Sequence, residues 1–478
     1  MPCSPPFRAP SGRSRVLLAL LAMVVLASAI LSRPARRLSD FDQLFYVTIA
    51  YDLDRYGVFS NSIFDNVDST EQAPPAGMFF GPVYPALVLA AMKIDHRFAD
   101  AVQCSVEAIN EHRDEATCEP YASPMRIIHA LLLTLGVLAI AVAAELMFRS
   151  RTIFWVAGAL ATVSLAAEAD IFSFIMTESV TFAIYSLCLL GVVLAWTSGR
   201  LRDFILSGVL LGLLCLTRPS FLVLMPVVAA LSLFHGYRLC DPPRPFTGRR
   251  VLAFALAFAS LLGAWGMRNA VSVGKLGLTE EYGSAALIER FAYNDMTAHE
   301  FIVAFPYCVP GLGDLAFDKI YGTDSMHRFV FHTRDSFFHI GRGRRDSLVE
   351  EHDRLDPLIG GIVREEMRAR WWRHLLVGIP LAWCGMWAGW IVSLPLLPLF
   401  GWACLRAWRQ SQPLLLLYAA PAVTMLALHA AVANHYTRYN LILIGPFAVG
   451  AAWIIAAWLA NVPWPPRPYY ARAKRVTR

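Results

Sequence analysis

The chain has 478 residues, of which 56% are hydrophobic and only 16% charged. Its mean hydropathy is +0.48, whereas a soluble globular chain carries about a quarter charged residues. This composition excludes a water-soluble enzyme, a disordered chain and a disulfide-dense secreted module. The net charge is +6; in a chain this apolar the placement of Lys and Arg reports topology, and no nucleic-acid-binding motif is present.

The first apolar block runs from Val16 to Leu31 behind Arg8, Arg13 and Arg15. It predicts a retained first transmembrane helix within residues 1–32, near the lower limit for spanning. Ala27-Ser28-Ala29 offers the competing pattern of a cleaved signal peptide. Residues 33–121 form a polar segment rich in acids. Inside it, Phe45, Ile49, Leu53 and Tyr56 repeat at helical spacing and predict an amphipathic helix over Asp40–Tyr56. Pro74-Pro75 and Gly77 break the chain. Val83–Ile94 is apolar but too short to span, as in an interfacial segment.

Within residues 122–267, spans are expected near 124–148, 152–168, 171–196, 203–217, 219–235 and 251–267. A second polar segment, 268–373, has a loop-like composition. It leads into 374–388, apolar but interrupted by Pro380 and read as interfacial, so 268–388 forms one region. Spans near 389–408, 413–433 and 440–460 follow, then a basic tail at 461–478. The expectation is an all-α polytopic membrane protein with about ten spans and two large loop regions carrying amphipathic surface helices.

Arg149/Arg151, Arg200/Arg202, Arg238/Arg244/Arg249/Arg250, Arg406/Arg409 and the tail with Arg472, Lys474, Arg475 and Arg478 fall on one side. The positive-inside rule makes that side cytoplasmic. Arg33, Arg36 and Arg37 balance the arginines before the first helix, so the later loops decide. Both long segments then face the periplasm, and the expected location is a bacterial inner membrane. No CxxC or zinc spacing occurs among the nine cysteines. Most sit in or beside apolar blocks as small hydrophobes. Cys104 and Cys118 share one polar segment, and whether they pair stays open.

On this topology Asp40, Asp42, Glu168, Asp170, Glu178, Arg218, Arg268, His435 and Arg438 fall at one membrane surface. Ionisable groups there face a cavity or one another. Such a cavity suits a sugar carried on a lipid phosphate. Arginines bind the phosphate and stabilise the charge that develops as it leaves; a carboxylate takes the proton of the acceptor hydroxyl. Plainer roles stand beside these. Asp42 has one as an exposed acid, as expected of Asp52 and Asp54. Glu178 has one as an arginine's partner holding two helices together, and Arg218 as a helix-end charge. His129 and His429 are expected to be packing polars, and Trp371, Trp372, Trp387 and Trp390 an interfacial belt.

A set of short motifs runs through the chain in order. Asp42 precedes Tyr46, Ala50 and Gly57-Val58-Phe59-Ser60, then Gly81-Pro82-Val83-Tyr84-Pro85. Thr177-Glu178-Ser179 follows, then Gly208 and Gly212 with Leu216-Thr217-Arg218-Pro219. Trp265, Arg268 and Asn269 close one helix, and Arg438-Tyr439 opens the last. Over residues 15–460 this resembles the type C glycosyltransferases (GT-C), a superfamily that includes protein O-mannosyltransferases and the lipid A aminoarabinose transferase. The resemblance implies the GT-C architecture and transfer of one sugar, with inversion, from a polyprenyl-phosphate donor. The acceptor would be an envelope glycolipid, polysaccharide or protein at the periplasmic face. It implies Asp42, with Asp40 as the alternative, as the general base. Arg438, Arg268, Arg218 and Tyr439 are the implied donor-phosphate ligands. Tyr46, Glu178 and Asn269 are the implied substrate-binding residues, and His435, Glu168 and Asp170 are expected to join them from their place at the same membrane surface. The outer segment at about 274–373 is expected to recognise the acceptor. No cofactor is implied, and a divalent metal is not required. Pro82-Val83-Tyr84-Pro85 departs from the commoner Pro-Gly-Tyr-Pro, and residues 95–120 look like an insertion. Rival readings are a transporter or flippase for lipid-linked saccharides, an envelope polymerase or ligase, and a non-catalytic subunit on the same scaffold.

Overall fold

The computed structural model describes residues 12–65, 72–240, 247–313, 320, 327–330, 333–352, 354–433 and 436–460. Among the described residues there are helices and no strand. The chain forms two compact units, one of residues 1–278, 398–421 and 444–478, the other of 279–397 and 422–443.

The first unit begins with α1 (Gly12–Leu31), α2 (Gln43–Tyr56), α3 (Val83–Ile94), α4 (His96–Asn110), α5 (Ser123–Phe148) and α6 (Arg151–Ala167). It continues with α7 (Ala169–Phe172), α8 (Glu178–Ser198), α9 (Leu201–Thr217), α10 (Leu224–Phe234) and α11 (Thr247–Ser272). Their ends follow local chemistry. Gly57 and Gly199 take left-handed conformations that stop α2 and α8, a conformation free of steric cost only for glycine. Ser150 caps α6 by accepting from the Ile153 amide. The apolar helix α5 packs on α1, α6 and α8, while α9 lies between α8 and α11. Small residues set the closest approach. A Cβ at Gly208 would stand 2.2 Å from the Phe254 carbonyl oxygen, so α9 and α11 meet backbone to backbone, as small residues permit in membrane bundles.

The protein is a multi-pass membrane protein. Among the described residues, eight helical segments are long and apolar enough to cross a bilayer: α1, α5, α8, Pro219–Leu239, α11, Trp390–Arg409, Pro413–Val432 and Thr437–Leu459. The expected spans at 152–168 and 203–217 are α6 and α9, each 17 residues long, at the short limit for crossing. The expected continuous span at 171–196 is corrected: the chain leaves helical structure between Phe172 and Glu178, where other side chains bind its backbone. The amphipathic helix begins at Gln43, so Asp40 and Asp42 precede it.

The second unit corrects the loop-like reading of 268–373. It holds α12 (Tyr282–Phe291), α13 (Ala298–Tyr307), α14 (Phe337–His352) and α15 (Asp356–Gly385). Helix α13 opens with a capping box between Thr297 and Glu300. Most of the segment 374–388 is the end of α15, which stops at Gly385 and whose backbone breaks at Arg370 (φ −142°, ψ 22°). The core gathers Tyr293, Met296, Phe329, Phe337, Val377 and Leu381. Arg290 is fully buried there. It donates to the carbonyls of Ala430 (2.7 Å) and His374 (3.2 Å) and to Asn294 Oδ1 (3.1 Å), the satisfaction a buried charge needs. Burial lowers its pKa to about 10.

Helices α16 (Ser393–Arg409), α17 (Pro413–Val432) and α18 (Ile444–Leu459) complete the chain. Cys104 and Cys118 form a disulfide. A second disulfide joins Cys308 to Cys384. This corrects the reading of that pair as small hydrophobes: a polar segment and the end of α15 are brought together by the fold, not by sequence proximity. Cys188, Cys215, Cys240 and Cys404 remain thiols.

Candidate active site

Asp42 occupies the N-cap position of α2, and its side chain accepts no capping hydrogen bond. Between it and Asp40, Phe41 holds φ at +58°, an uncommon and strained conformation for a bulky side chain. Two contacts hold the turn in place. The Phe41 ring meets Phe174 edge-on at 5.1 Å. Gln43, almost wholly buried, donates through Nε2 to the carbonyls of Arg37 (3.0 Å) and Asp40 (3.1 Å). Its Oε1 accepts the Ile175 amide at 2.8 Å. The non-helical stretch before α8 is thus tied to the turn that carries both candidate acids.

Arg126 on α5 secures the same region from the other side. It donates to the carbonyls of Arg33 (3.0 Å), Pro34 (2.7 Å) and Ser173 (3.1 Å). Sequence reasoning missed Phe41, Gln43 and Arg126. The signals available were a glutamine beside two acids and an arginine inside an apolar run.

Tyr46, one turn into α2, packs edge-on against Phe80 (5.3 Å) and Tyr84 (4.9 Å). The Tyr84 hydroxyl lies 3.0 Å from His129 Nε2, whose Nδ1 lies 2.9 Å from the Phe172 carbonyl oxygen. His129 is therefore a satisfied packing polar. In the second unit, so is His429, with Nδ1 3.0 Å from Asn440 Oδ1. Asp54 pairs with Lys93 in partial exposure. Asp52 corrects its reading as an exposed acid: it is buried and accepts the Ser60 hydroxyl, which closes the turn after α2.

Glu178, buried at the start of α8, accepts Arg218 Nη2 at 2.6 Å, and Arg218 Nε donates to Thr177 Oγ1 at 2.7 Å. The Thr-Glu and Thr-Arg-Pro motifs are thus one contact between α8 and the end of α9. Gly81 lies against the same end, where a Cβ would meet the Leu216 carbonyl oxygen at 2.1 Å. Arg268, near the end of α11, donates to the carbonyls of Gly77 (2.6 Å) and Phe59 (3.1 Å) and to Asn269 Oδ1 (3.0 Å). Its guanidinium also lies over the rings of Phe59 and Trp265. Asn269 Nδ2 and Trp265 Nε1 donate to the Gly277 and Leu278 carbonyls at 2.8 and 2.9 Å. A cleft of about 450 Å³ lies beside Arg268, walled by Leu53, Val58, Phe59, Pro82 and Trp265.

Glu168 ends α6. Asp170 is exposed and pairs with Arg33 at 3.3 Å. Arg438 and Tyr439 belong to the second unit. The Arg438 guanidinium lies over the rings of Tyr436 (5.8 Å) and Tyr439 (5.2 Å), and its Nη2 stands 3.4 Å from the Tyr439 hydroxyl. His435 lies outside the described residues, as does the basic tail. Glu280, Glu281 and Asp356 gather their carboxylates. Glu281 already accepts the Leu355 amide, and Asp356 the Glu281 amide and Ser284 hydroxyl, so the group is a mutual cap.

The sequence matches no protein-family profile and no curated protein. Solved structures do resemble the fold. An Archaeoglobus fulgidus oligosaccharyltransferase tethered to an acceptor peptide with an NVT sequon matches 94% of this chain at TM-score 0.50 and 10% identity. ArnT from Cupriavidus metallidurans bound to undecaprenyl phosphate matches 94% at 0.47 and 12%. AglB from Archaeoglobus fulgidus with an inhibitory peptide and a dolichol-phosphate matches 96% at 0.46 and 12%. The chain spans only 50%, 61% and 53% of those proteins respectively. The fold is the one seen in the oligosaccharyltransferase matched at TM-score 0.50.

Proposed function

We propose that this chain has the GT-C fold and is a membrane glycosyltransferase that moves one sugar from a polyprenyl-phosphate donor to an acceptor at the periplasmic face. The observation that carries the reading is the pair Asp40 and Asp42. They sit on a strained turn directly after the first apolar helix, fixed by Gln43 and Arg126. A group that must take a proton at the moment of attack has to be held in place, and this turn is over-determined.

In this mechanism Asp42 accepts the proton of the acceptor hydroxyl or amine as the acceptor attacks the anomeric carbon. The bond from that carbon to the lipid-phosphate oxygen breaks in the same step, which inverts the configuration, and the phosphate leaves with the electron pair. Arg438, with Tyr439 beside it, is assigned to stabilise the departing phosphate. The bonds of Arg218 and Arg268 fit positioning roles, since one joins α8 to α9 and the other shapes the loop around the cleft. The acceptor is an envelope glycolipid, polysaccharide or protein, and the helices of the second unit are assigned to its recognition.

The test is transfer of labelled sugar from a polyprenyl-phosphate donor in membranes. Asp42→Asn is expected to lose about 10²–10⁴ in rate, the range for a lost general base, at normal protein level. Activity retained in Asp42→Asn and lost in Asp40→Asn would reassign the base. Activity retained in both would end the glycosyltransferase reading.

A further inference from the structure

Helix α15 carries one exposed stripe whose chemistry changes at its break. Before Arg370 the stripe holds Arg364, Glu365 and Arg368. After it come Trp371, Trp372, Leu375, Leu376 and Ile379, with Leu375 64% exposed. These positions recur at helical spacing. The opposite face, with His374, Val377, Leu381 and Cys384, is buried, and Cys384 is bonded to Cys308. The break itself is anchored, because Arg370 pairs with Asp295, which also pairs with Arg344 at 2.6 Å.

No water-facing helix benefits from two tryptophans and three aliphatic side chains in a row. Helix α15 also ends at Gly385, just before the membrane-length segment that starts at Trp390. From Trp371 to Gly385 the helix is too short to cross a bilayer. Charged groups up to the break and tryptophans directly after it are the order found across a headgroup boundary.

We propose that the second half of α15 docks into the bilayer interface and sets the depth of the segment that carries Arg438. Two contacts within the second unit transmit the setting. Arg290 joins the His374 carbonyl of α15 to the Ala430 carbonyl of α17. Gly385 abuts Asn440, where a Cβ would stand 2.5 Å from Nδ2. Asn440 is two residues beyond Arg438. The docking is independent of any activity; its bearing on catalysis rests on the reading of Arg438 as a phosphate ligand.

The experiment is spin-label accessibility of the full chain in phosphatidylethanolamine/phosphatidylglycerol vesicles, with Cys3 and Cys404 replaced by Ala. A nitroxide at Leu375→Cys or Ile379→Cys is expected to relax faster with oxygen than with a water-soluble nickel complex, and one at Arg368→Cys the reverse. Nickel dominance at 375 and 379, or access by neither reagent because protein covers the stripe, overturns the docking. For the depth setting, a label at Thr437→Cys is compared with and without Leu375→Lys/Ile379→Lys. A shift of that label toward water is expected, and an unchanged depth overturns the second half of the proposal. Neither readout depends on sugar transfer, so failure here is distinct from failure of the glycosyltransferase reading.

Discussion

Asp42 and Gln43 are neighbours with opposite roles, and single substitutions separate them. Asp42→Asn keeps the size of the side chain and removes its proton-accepting charge, so the change is expected to show chiefly in rate. Gln43 is buried and bonded to three backbone groups. Gln43→Leu strands the buried Ile175 amide, at about 1–3 kcal/mol for an unsatisfied donor. Its thermal midpoint in detergent is expected to fall, with a partial loss of rate because the turn loosens. An unchanged midpoint would mean that Gln43 does not hold the turn. The place of the two acids, just past an apolar helix, was legible in the sequence. The glutamine was not: its partners Arg37 and Ile175 stand on either side of it in the chain by 6 and 132 residues. Asp52 was misread for the same reason, since periodicity does not reveal that Ser60 turns back on it.

At the scale of elements, helices and their order follow from apolar run length, and most spans were legible. The break before α8 was not, because an apolar run hides a non-helical stretch whose Ile175 amide and Ser173 carbonyl are bonded by side chains from distant helices. Nor was the helical second unit, whose mixed charge resembles a loop until the helices pair. Gly81 carries the contact between the start of α3 and the end of α9. Gly81→Ala drives a Cβ against the Leu216 backbone, which has no flexible end to yield. The expected outcome is loss of folded protein on size exclusion, while Gly343→Ala, with open space around its Cβ, behaves as wild type.

His374 gives the second unit a pH dependence. Burial first, and the nearby Arg290 second, lower its pKa below the usual 6.5. The folded state then holds His374 neutral where the unfolded chain would protonate it, so unfolding binds a proton and stability falls as pH drops below 6.5. Thermal midpoints measured downward from pH 7 are expected to fall in wild type and to fall less in His374→Gln; equal slopes would remove the histidine from the account.

For the whole molecule, the cysteines and the arginines bear on one question by unrelated physics. On the proposed topology the positive-inside rule makes the loop around Arg238 and Arg249 cytoplasmic and leaves the segments containing Cys104, Cys118 and Cys308 on the other side. Disulfides persist only in an oxidising compartment. All four bonded cysteines lie on the stretches assigned to that side or at the end of α15 that docks there, and the thiols at Cys188, Cys215 and Cys404 lie within apolar helices of the bundle. Chain entropy ranks the two bonds. A separation of 14 residues corresponds to about 3 kcal/mol and one of 76 to about 4.5 kcal/mol. Cys308→Ala/Cys384→Ala is therefore expected to lower the thermal midpoint more than Cys104→Ala/Cys118→Ala. Both bonds should be absent when the chain is made in cells lacking periplasmic thiol oxidation. A reporter fused in the loop after Leu239 should report cytoplasm in the same cells. Free thiols at all four positions in cells with normal periplasmic thiol oxidation, together with a periplasmic signal from that loop, would invert the topology, and with it the side on which the Asp42 turn meets its acceptor.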